Sequence, residues 1–390
     1  MAKRDNGEGS LFYDKVLKIW AFQVSYIKDG KRKRKKFTSK KRQVAKEKGQ
    51  AFLQQLEAGY KGDSIITVGQ WITKCMQDSI KPRVRPRTYE KYKSCLWNYV
   101  LPVFGDRELA KLRAEEIQQH LNNMLVSGGR DGKGLSSSTV RATRRYIAMI
   151  MDEAVVAGLV EKNVVKQTKP PRLEKRDIVV ISNDDVNMLV AEAEKVEPEY
   201  MGKMLSVLIA LIAHTGLRQG EAFGLQWQDI DFRQNALYVR KSMAHVIGRG
   251  VIFQPPKTKN SRRRIALMPS DAKLLKEFRA YQRAYAEELG DMFNSHDLVF
   301  TSTLGCPLSP TNFNRRYFAP LLKRCHIPKG FTFHGLRHTH ATLLLQQGVN
   351  PKIVQERLGH SSIKVTMDTY SHVLPDMQQV AVAAMEKMSL

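Results

Sequence analysis

The sequence predicts a multidomain α+β protein: a small N-terminal β-sheet with one helix, an all-α block, and a mainly α C-terminal domain with a small antiparallel sheet. Three observations predict it. Residues 18–27, "KIWAFQVSYI", alternate apolar and polar side chains with the period of a half-buried strand. Residues 67–166 repeat apolar positions at helical spacing. The proline-rich, charged stretch "KQTKPPRLEKRD" (166–177) marks a boundary, and beyond it helical and strand-like segments are mixed. At 390 residues and 42% hydrophobic content the chain is long enough to build two or three cores.

In the first domain, residues 1–62, the alternation places Trp20, Phe22, Val24 and Tyr26 on one face. Asp29-Gly30 is the strongest short hairpin signal. The return strand "KRKRKKFTS" is nearly all cationic, so Lys31, Arg32, Lys33, Arg34, Lys35 and Lys36 are expected to make a basic sheet face. "SKKRQVAKEKGQAFLQQLEAG" reads as a helix capped by Ser39 and ended at Gly59. This segment holds 17 Lys and Arg against 6 Asp and Glu. A small sheet of that charge is suited to a DNA groove; a basic localisation tract is the plainer alternative.

The second domain, residues 67–166, opens on Thr67 as an N-cap. Tyr89, Tyr92, Leu96, Tyr99 and Val100 form a helical stripe with basic residues between them. "LRAEEIQQHLNNMLVSG" is a third helix. A fourth turns Val140, Ile147, Ile150, Met151, Ala154 and Val155 inward. Its cationic side, with Arg144 and Arg145, is suited to lie along a phosphate backbone.

The third domain, residues 175–390, starts with helices "SNDDVNMLVAEAEKV" and "GKMLSVLIALIAHTG". Three strand-like segments follow: "ALYVRKSMAHV", "VIFQPPK" and "RRRIALM". Helices then continue to an amphipathic tail (374–390), with Met377, Val380, Val382, Ala384, Met385 and Met388 apolar.

Charge narrows the partner. The chain carries 64 Lys and Arg against 38 Asp and Glu, a net +26 spread along its length, which implies a polyanion and most commonly nucleic acid. No run of eighteen apolar residues and no apolar leader is visible, so a cytoplasmic protein without a membrane partner is expected. Cys75, Cys95, Cys306 and Cys325 lack zinc-ribbon spacing and read as reduced thiols.

Four segments of the third domain concentrate reactive side chains. Arg218 follows the helix-ending Gly216 in "HTGLRQGEAFGLQWQDID"; Lys257 lies in "QPPKTKNSRRRIALM"; His334 and Arg337 lie in "FTFHGLRHTHATLLLQQG"; and His360 and Tyr370 lie in "ERLGHSSIKVTMDTYSHV". At helical spacing His334, Arg337 and His338 point roughly one way from a helix start, where unpaired N–H groups and the helix dipole already favour an anion. A guanidinium there forks onto phosphate oxygens, and Arg218 would clamp the other side.

The order Arg, Lys, His-x-x-Arg, His, Tyr resembles the tyrosine recombinase family, the lambda-type integrases of phages and conjugative elements. "TGLRQGEAFGL", "PPKTKNSRRR", "FHGLRHTHATLLLQQG" and "LGHSSIKVTMDTYSHV" carry the resemblance, and four boxes in that order are far more specific than any one. Residues 67–166 are similar to the family's core-binding domain and 1–62 to the arm-binding domain of its larger members. The resemblance implies a site-specific recombinase that integrates and excises a mobile element or viral genome. It would act as a homotetramer on double-stranded attachment sites in a bacterial cytoplasm, helped by DNA-bending and excision factors. It implies no metal and no cofactor. Tyr370 would attack the scissile phosphate to give a 3′-phosphotyrosyl bond. Arg218 and Arg337 would hold the non-bridging oxygens, and Lys257 would protonate the leaving 5′-oxygen. His334 would assist as acid or base, while His360 would bond the phosphate or position the tyrosine.

Other readings of single residues stand beside these. His334, His338 and His340 are candidate metal ligands, but His338 and His340 face different directions and no carboxylate or cysteine spacing accompanies them. Lys259 rivals Lys257. Tyr281 and Tyr317 are expected to be packing residues, Asp229 and Asp231 structural ones. Glu221, one turn after Arg218, is expected to orient it, and His372 to close the helix carrying Tyr370. Two whole-chain alternatives are a type IB topoisomerase-like enzyme, sharing the chemistry, and a non-catalytic DNA-binding regulator.

Overall fold

The computed structural model describes residues 9–28, 31–57, 66–129, 131–173, 178–246, 248, 250–255, 261–294 and 296–370, with 382, 385 and 386. The chain divides into two compact units, residues 1–175 and 176–390.

In the first unit β1 (Ser10–Asp14), β2 (Ile19–Lys28) and β3 (Lys31–Ser39) form an antiparallel sheet in that order. The β2–β3 register runs from Trp20 opposite Ser39 to Lys28 opposite Lys31; the expected turn residues Asp29 and Gly30 lie outside the described residues. Helix α1 (Arg42–Glu57) backs the sheet, with Phe22, Val24 and Phe52 buried between them. Its approach requires a glycine: a Cβ on Gly49 would fall 1.9 Å from the Phe22 ring. Ser39 accepts from the Lys41 N–H just ahead of the helix.

The pleat divides the cationic strand. Lys35 pairs with Val24 and lies over the Phe52 ring at 4.8 Å, on the helix side; Lys33, opposite Tyr26, shares that face. Arg34 and Lys36, opposite Ser25 and Gln23, face the other way, with Lys36 over Phe12. Residues directly opposite share a face, so the six expected cations do not make one surface. Lys31 and Arg32 belong to β3, but their side chains lie outside the described part.

The helical block holds α2 (Val68–Cys75), α3 (Pro86–Tyr99), α4 (Leu101–Phe104), α5 (Ala114–Ser127) and α6 (Ser137–Val156) around its own core. Thr67 caps α2 reciprocally with Gln70, and Ser136 caps α6. The indole N–H of Trp71 donates to the Ile150 carbonyl, tying α2 to α6. On α6, Arg144 donates to the Thr168 hydroxyl and to the carbonyls of Val165 and Thr168, while Arg145 is exposed against the Tyr146 ring. Arg144 therefore ties down the segment after α6, and Arg145 carries the open charge of the pair.

The second unit is organised around α8 (Glu199–Thr215), which is buried on nearly every side. α7 (Asn183–Glu194) packs on it, and the short α9 (Gln219–Phe223) follows it. Strands β4 (Ile230–Asp231), β5 (Ala236–Val239) and β8 (Arg263–Ala266) form one antiparallel sheet, and β6 (Ser242–Val246) pairs with β7 (Gly250–Gln254) in a separate hairpin. The segment expected as one strand, "ALYVRKSMAHV", thus breaks at Arg240-Lys241 and feeds both sheets. Helices α10 (Pro269–Leu289), α11 (Pro310–Phe313), α12 (Ala319–Arg324) and α13 (Phe333–Gln346) complete the main core. A small second core joins α13 to α14 (Pro351–Leu358) and α15 (Ile363–Tyr370) through Ala341, Leu345, Val354, Leu358 and the ring of Tyr370. Tyr281 stacks on Tyr200 and Tyr285, and Tyr317 packs on the main core. Asp229 and Asp231 accept backbone N–H bonds at the turns around β4. The amphipathic tail lies almost wholly outside the described residues, as does His372.

Candidate active site

The site begins where α8 stops. Gly216 adopts φ +66, and a Cβ there would meet Leu358 and His340 at 2.6 and 2.7 Å, so the chain turns off the helix only with glycine in place. Two residues on, Arg218 becomes the N-cap of α9. Its backbone N–H and its Nη1 donate to the two carboxylate oxygens of Glu221 at 3.0 and 2.7 Å, and its Nη2 donates to the Gly359 carbonyl at 3.0 Å. Glu221, 4% exposed, also takes Nη1 and Nη2 of Arg263 from β8. Burial pushes its carboxyl up, but the Arg263 bonds and the Arg263 and Arg218 charges outweigh that and hold it below the usual range. One carboxylate thus fixes two arginines.

Arg337 comes from α13 and is 2% exposed. Its Nη1 donates to the Gly216 carbonyl at 2.7 Å and its Nη2 to that of Leu358 at 2.8 Å. These carbonyls close the C-terminal ends of α8 and α14, where the partial negative charge of a helix favours a cation. Burial and the neighbouring Arg218 charge pull the guanidinium down to about 9, so it stays cationic at neutral pH. Each guanidinium carries five N–H donors, and these anchoring bonds occupy only part of them.

The histidines and the tyrosine complete the cluster. Gly359 turns α14 into the loop that presents His360, whose Nδ1 lies 2.9 Å from the Thr366 hydroxyl. His334 and His338, one turn apart on α13, meet edge to face at 4.7 Å. The Tyr370 hydroxyl, at the end of α15, lies 2.7 Å from His338 Nδ1. Tyr370 is 1% exposed, and burial pushes its phenol up to about 12 against the pull of Arg337. His340 turns away, as expected, to the Ala213 carbonyl and Arg357.

Arg218, His334, Arg337, His360 and Tyr370 are therefore neighbours, drawn from α8–α9, α13, the α14–α15 loop and α15. Lys257 and its rival Lys259 lie outside the described residues. One contact and one residue lie beyond the sequence reading. His338 is expected on the same face of α13 as His334 and Arg337, but nothing local shows that a residue 32 positions on meets it. Arg263 sat unremarked within a run of three arginines, and only the β5–β8 pairing aims it at Glu221. Among the described residues no group of three or more His, Cys, Asp or Glu is arranged to hold a metal ion.

Burial first, and then neighbouring basic side chains, lower the histidines: His338 and His360 to about 4, His340 to about 3, and His334 in the same direction. The unfolded chain therefore binds more protons than the folded one below the ordinary histidine pKa of about 6.5. Stability is full above that pH and is lost as pH falls toward about 4. We expect the melting temperature to drop between pH 7 and pH 5, measured by calorimetry in matched salt. A flat profile over that window would contradict the neutral, buried state of these imidazoles.

Residues 180–377 match the model of the phage integrase family, and residues 67–125 match that of the phage integrase N-terminal SAM-like domain. A tyrosine recombinase XerC-like protein of Caldanaerobacter subterraneus subsp. tengcongensis is 30% identical over 381 residues, covering 92% of this chain and 93% of the relative. Among solved structures, the Tn1549 transposon integrase in complex with a circular intermediate DNA superposes with a TM-score of 0.67 at 19% identity, over 83% of this chain and 100% of that one. A lambda integrase tetramer bound to a Holliday junction superposes with a TM-score of 0.58 at 20% identity, over 96% and 97%. At these identities the superpositions speak for the fold.

Proposed function

This chain belongs to the phage integrase family, and from that premise we propose that Tyr370 is the nucleophile with which it cuts and rejoins DNA. The chain is a tyrosine recombinase, an integrase of the kind carried by mobile elements. The observation that carries the residue assignment is the meeting of Tyr370 with two fixed arginines and three neutral imidazoles in one cluster.

In this reading the Tyr370 oxygen bonds to the scissile phosphorus while the bond to the 5′-oxygen breaks, leaving a 3′-phosphotyrosyl link. Arg218 and Arg337 hold the non-bridging oxygens, already aimed by Glu221 and by helix-end carbonyls, so little reorganisation accompanies the charge that develops in the transition state. His334 serves as acid or base, His360 contacts the phosphate, and Lys257 protonates the departing 5′-oxygen. The phosphotyrosyl bond conserves the energy of the phosphodiester, so a second 5′-hydroxyl reverses the step and strands exchange. No cofactor enters the scheme.

The partner is double-stranded DNA at attachment sites, and the working form is a homotetramer; the lambda integrase tetramer on a Holliday junction supports this. Bending and excision factors would set direction. Residues 1–62 serve as an arm-type DNA-binding domain, 67–166 as the core-binding domain and 175–390 as the catalytic domain, acting on DNA in a bacterial cytoplasm. No helix of the described residues is long and apolar enough to cross a membrane.

The test is capture of the covalent intermediate. The protein is incubated with chelator and a nicked suicide duplex carrying the element's end, and the adduct is digested and mapped by mass spectrometry. DNA on the peptide containing Tyr370 supports the assignment, and DNA on another tyrosine overturns it.

The sheet of residues 1–62 makes a separate expectation. Neutralising Arg34 and Lys36 together should weaken binding to that duplex and lower the slope of log affinity against log salt by about 1.8, at about 0.9 per phosphate contact. Lys35→Ala, which removes a cation lying over Phe52, should change the slope less. Equal slopes for wild type and the double variant would remove this face from the DNA contact.

A further inference from the structure

We propose that His338 is a catalytic residue, the base that takes the Tyr370 phenol proton through Nδ1 as the tyrosine attacks phosphorus. The inference rests on the reading of Tyr370 as nucleophile and adds a role that none of the four sequence boxes assigns.

The geometry carries it. Nδ1 and the hydroxyl oxygen are 2.7 Å apart, the distance of a strong hydrogen bond, and no other hydrogen bond to that hydroxyl occurs among the described residues. The direction of the bond follows from burial. Tyr370 is 1% exposed, so its O–H has little access to water. If Nδ1–H donated to the phenol oxygen instead, that O–H would be a buried donor without an acceptor. The satisfied arrangement has Nδ1 unprotonated and the phenol donating into its lone pair, which is the state of a base poised to act.

The surroundings keep His338 neutral. His334 and Arg337 face it from its own helix, and His360 from the α14–α15 loop; burial and the nearby positive charge together lower its pKa to about 4. Taken alone, that makes a weak base for a phenol pushed up to about 12. A phosphodiester anion between the arginines changes the balance, because it offsets the positive charge that lowers the imidazole. Proton loss is then coupled to bond formation. The phenol proton passes to Nδ1, the oxygen–phosphorus bond forms, the bond to the 5′-oxygen breaks, and that oxygen takes its own proton from a separate acid, Lys257 in the reading above. On rejoining, the 5′-hydroxyl gives its proton back to Lys257 as it bonds to phosphorus, the tyrosyl–phosphorus bond breaks, and protonated His338 returns its proton to the phenol.

The rival role is positioning, in which Nδ1 merely holds the ring. Asparagine separates the two, since its side-chain oxygen accepts the same bond and cannot take the proton. Single-turnover cleavage of the suicide duplex is measured for His338→Ala and His338→Asn at a temperature where each is folded, with DNA affinity checked against the wild type. It is measured with tyrosine and with trifluorotyrosine, a more acidic phenol, at position 370. A base predicts that both variants lose about 10²–10⁴-fold in rate and that trifluorotyrosine restores much of the loss, because a more acidic nucleophile needs less help. Recovery of the wild-type rate by His338→Asn, or a loss equally deep with trifluorotyrosine, overturns the proposal. Tyr370→Phe run alongside keeps the two ideas apart. An adduct surviving in it removes the nucleophile and this inference together, while its absence with full activity in His338→Ala removes only the inference.

Discussion

Tyr370→Phe is expected to abolish the covalent DNA–protein adduct while leaving the protein folded and bound to DNA. Phenylalanine keeps the ring that packs with Ala341, Leu345, Val354 and Leu358, so the small core of α13–α15 survives. What is lost is one hydroxyl and its bond to His338, at about 1 kcal/mol of stability. On the proposed assignment the chemical loss is of another order, because the attacking oxygen itself is gone. Denaturing gels of suicide-duplex reactions with chelator present read the adduct, and gel shifts in parallel read binding. Intact binding with no adduct is the expected pair of results, and it also separates this enzyme from a DNA-binding regulator, whose function would not notice the change. An adduct in the Phe variant would mean that a different side chain attacks.

The cluster was legible in the sequence to the extent that its chemistry sits in short local patterns. Gly216 before Arg218, His334 three residues before Arg337, and Gly359 before His360 each pair a reactive side chain with the local geometry that presents it, and all are adjacent in the chain. For the helix opening on "FHGLRHTH" the sequence reading is an anion site at a helix start, and it leaves open how Arg337 is anchored. Arg337 is buried against the C-terminal ends of two other helices, a long-range arrangement that no local pattern encodes. The same holds for His338 with Tyr370 and for Arg263 with Glu221, which depend on how α15 folds against α13 and how β8 pairs with β5.

The fold follows a similar division. The expected α+β architecture and its strand-rich N-terminus are present, because periods of 2 and 3.6 are local properties. The break of "ALYVRKSMAHV" into two sheets was invisible, since both halves have strand composition and only pairing partners distinguish them. The split of the cationic strand was legible in principle. Period-2 alternation in "KRKRKKFTS" requires neighbouring cations to face opposite ways, and charge alone had masked it.

Glu221→Gln is the second large expected effect, and it acts through the arginines rather than on the phosphate. The carboxylate lies between Arg218 and Arg263, whose side chains are 35% and 6% exposed. Glutamine fits the space but brings no charge and only one acceptor oxygen. Arg263 is then a buried cation without its counter-ion, and breaking such a pair costs about 3–5 kcal/mol. For a unit of this size that lowers the melting temperature by roughly 6–20 °C. Cleavage should fall beyond what stability explains, because Arg218 loses the carboxylate that aims it and keeps only the Gly359 carbonyl, while Arg337, held by two backbone carbonyls, keeps its place. A second substitution tests the cause. In Glu221→Gln/Arg263→Met the stranded charge is gone, so stability should recover by at least about 1 kcal/mol relative to the sum of the single changes. Cleavage should stay low, since nothing in the double variant returns a carboxylate to Arg218. Simple additivity would mean that the buried pair is not what Glu221 contributes. Recovered cleavage would mean that Arg218 is aimed by its bond to the Gly359 carbonyl alone.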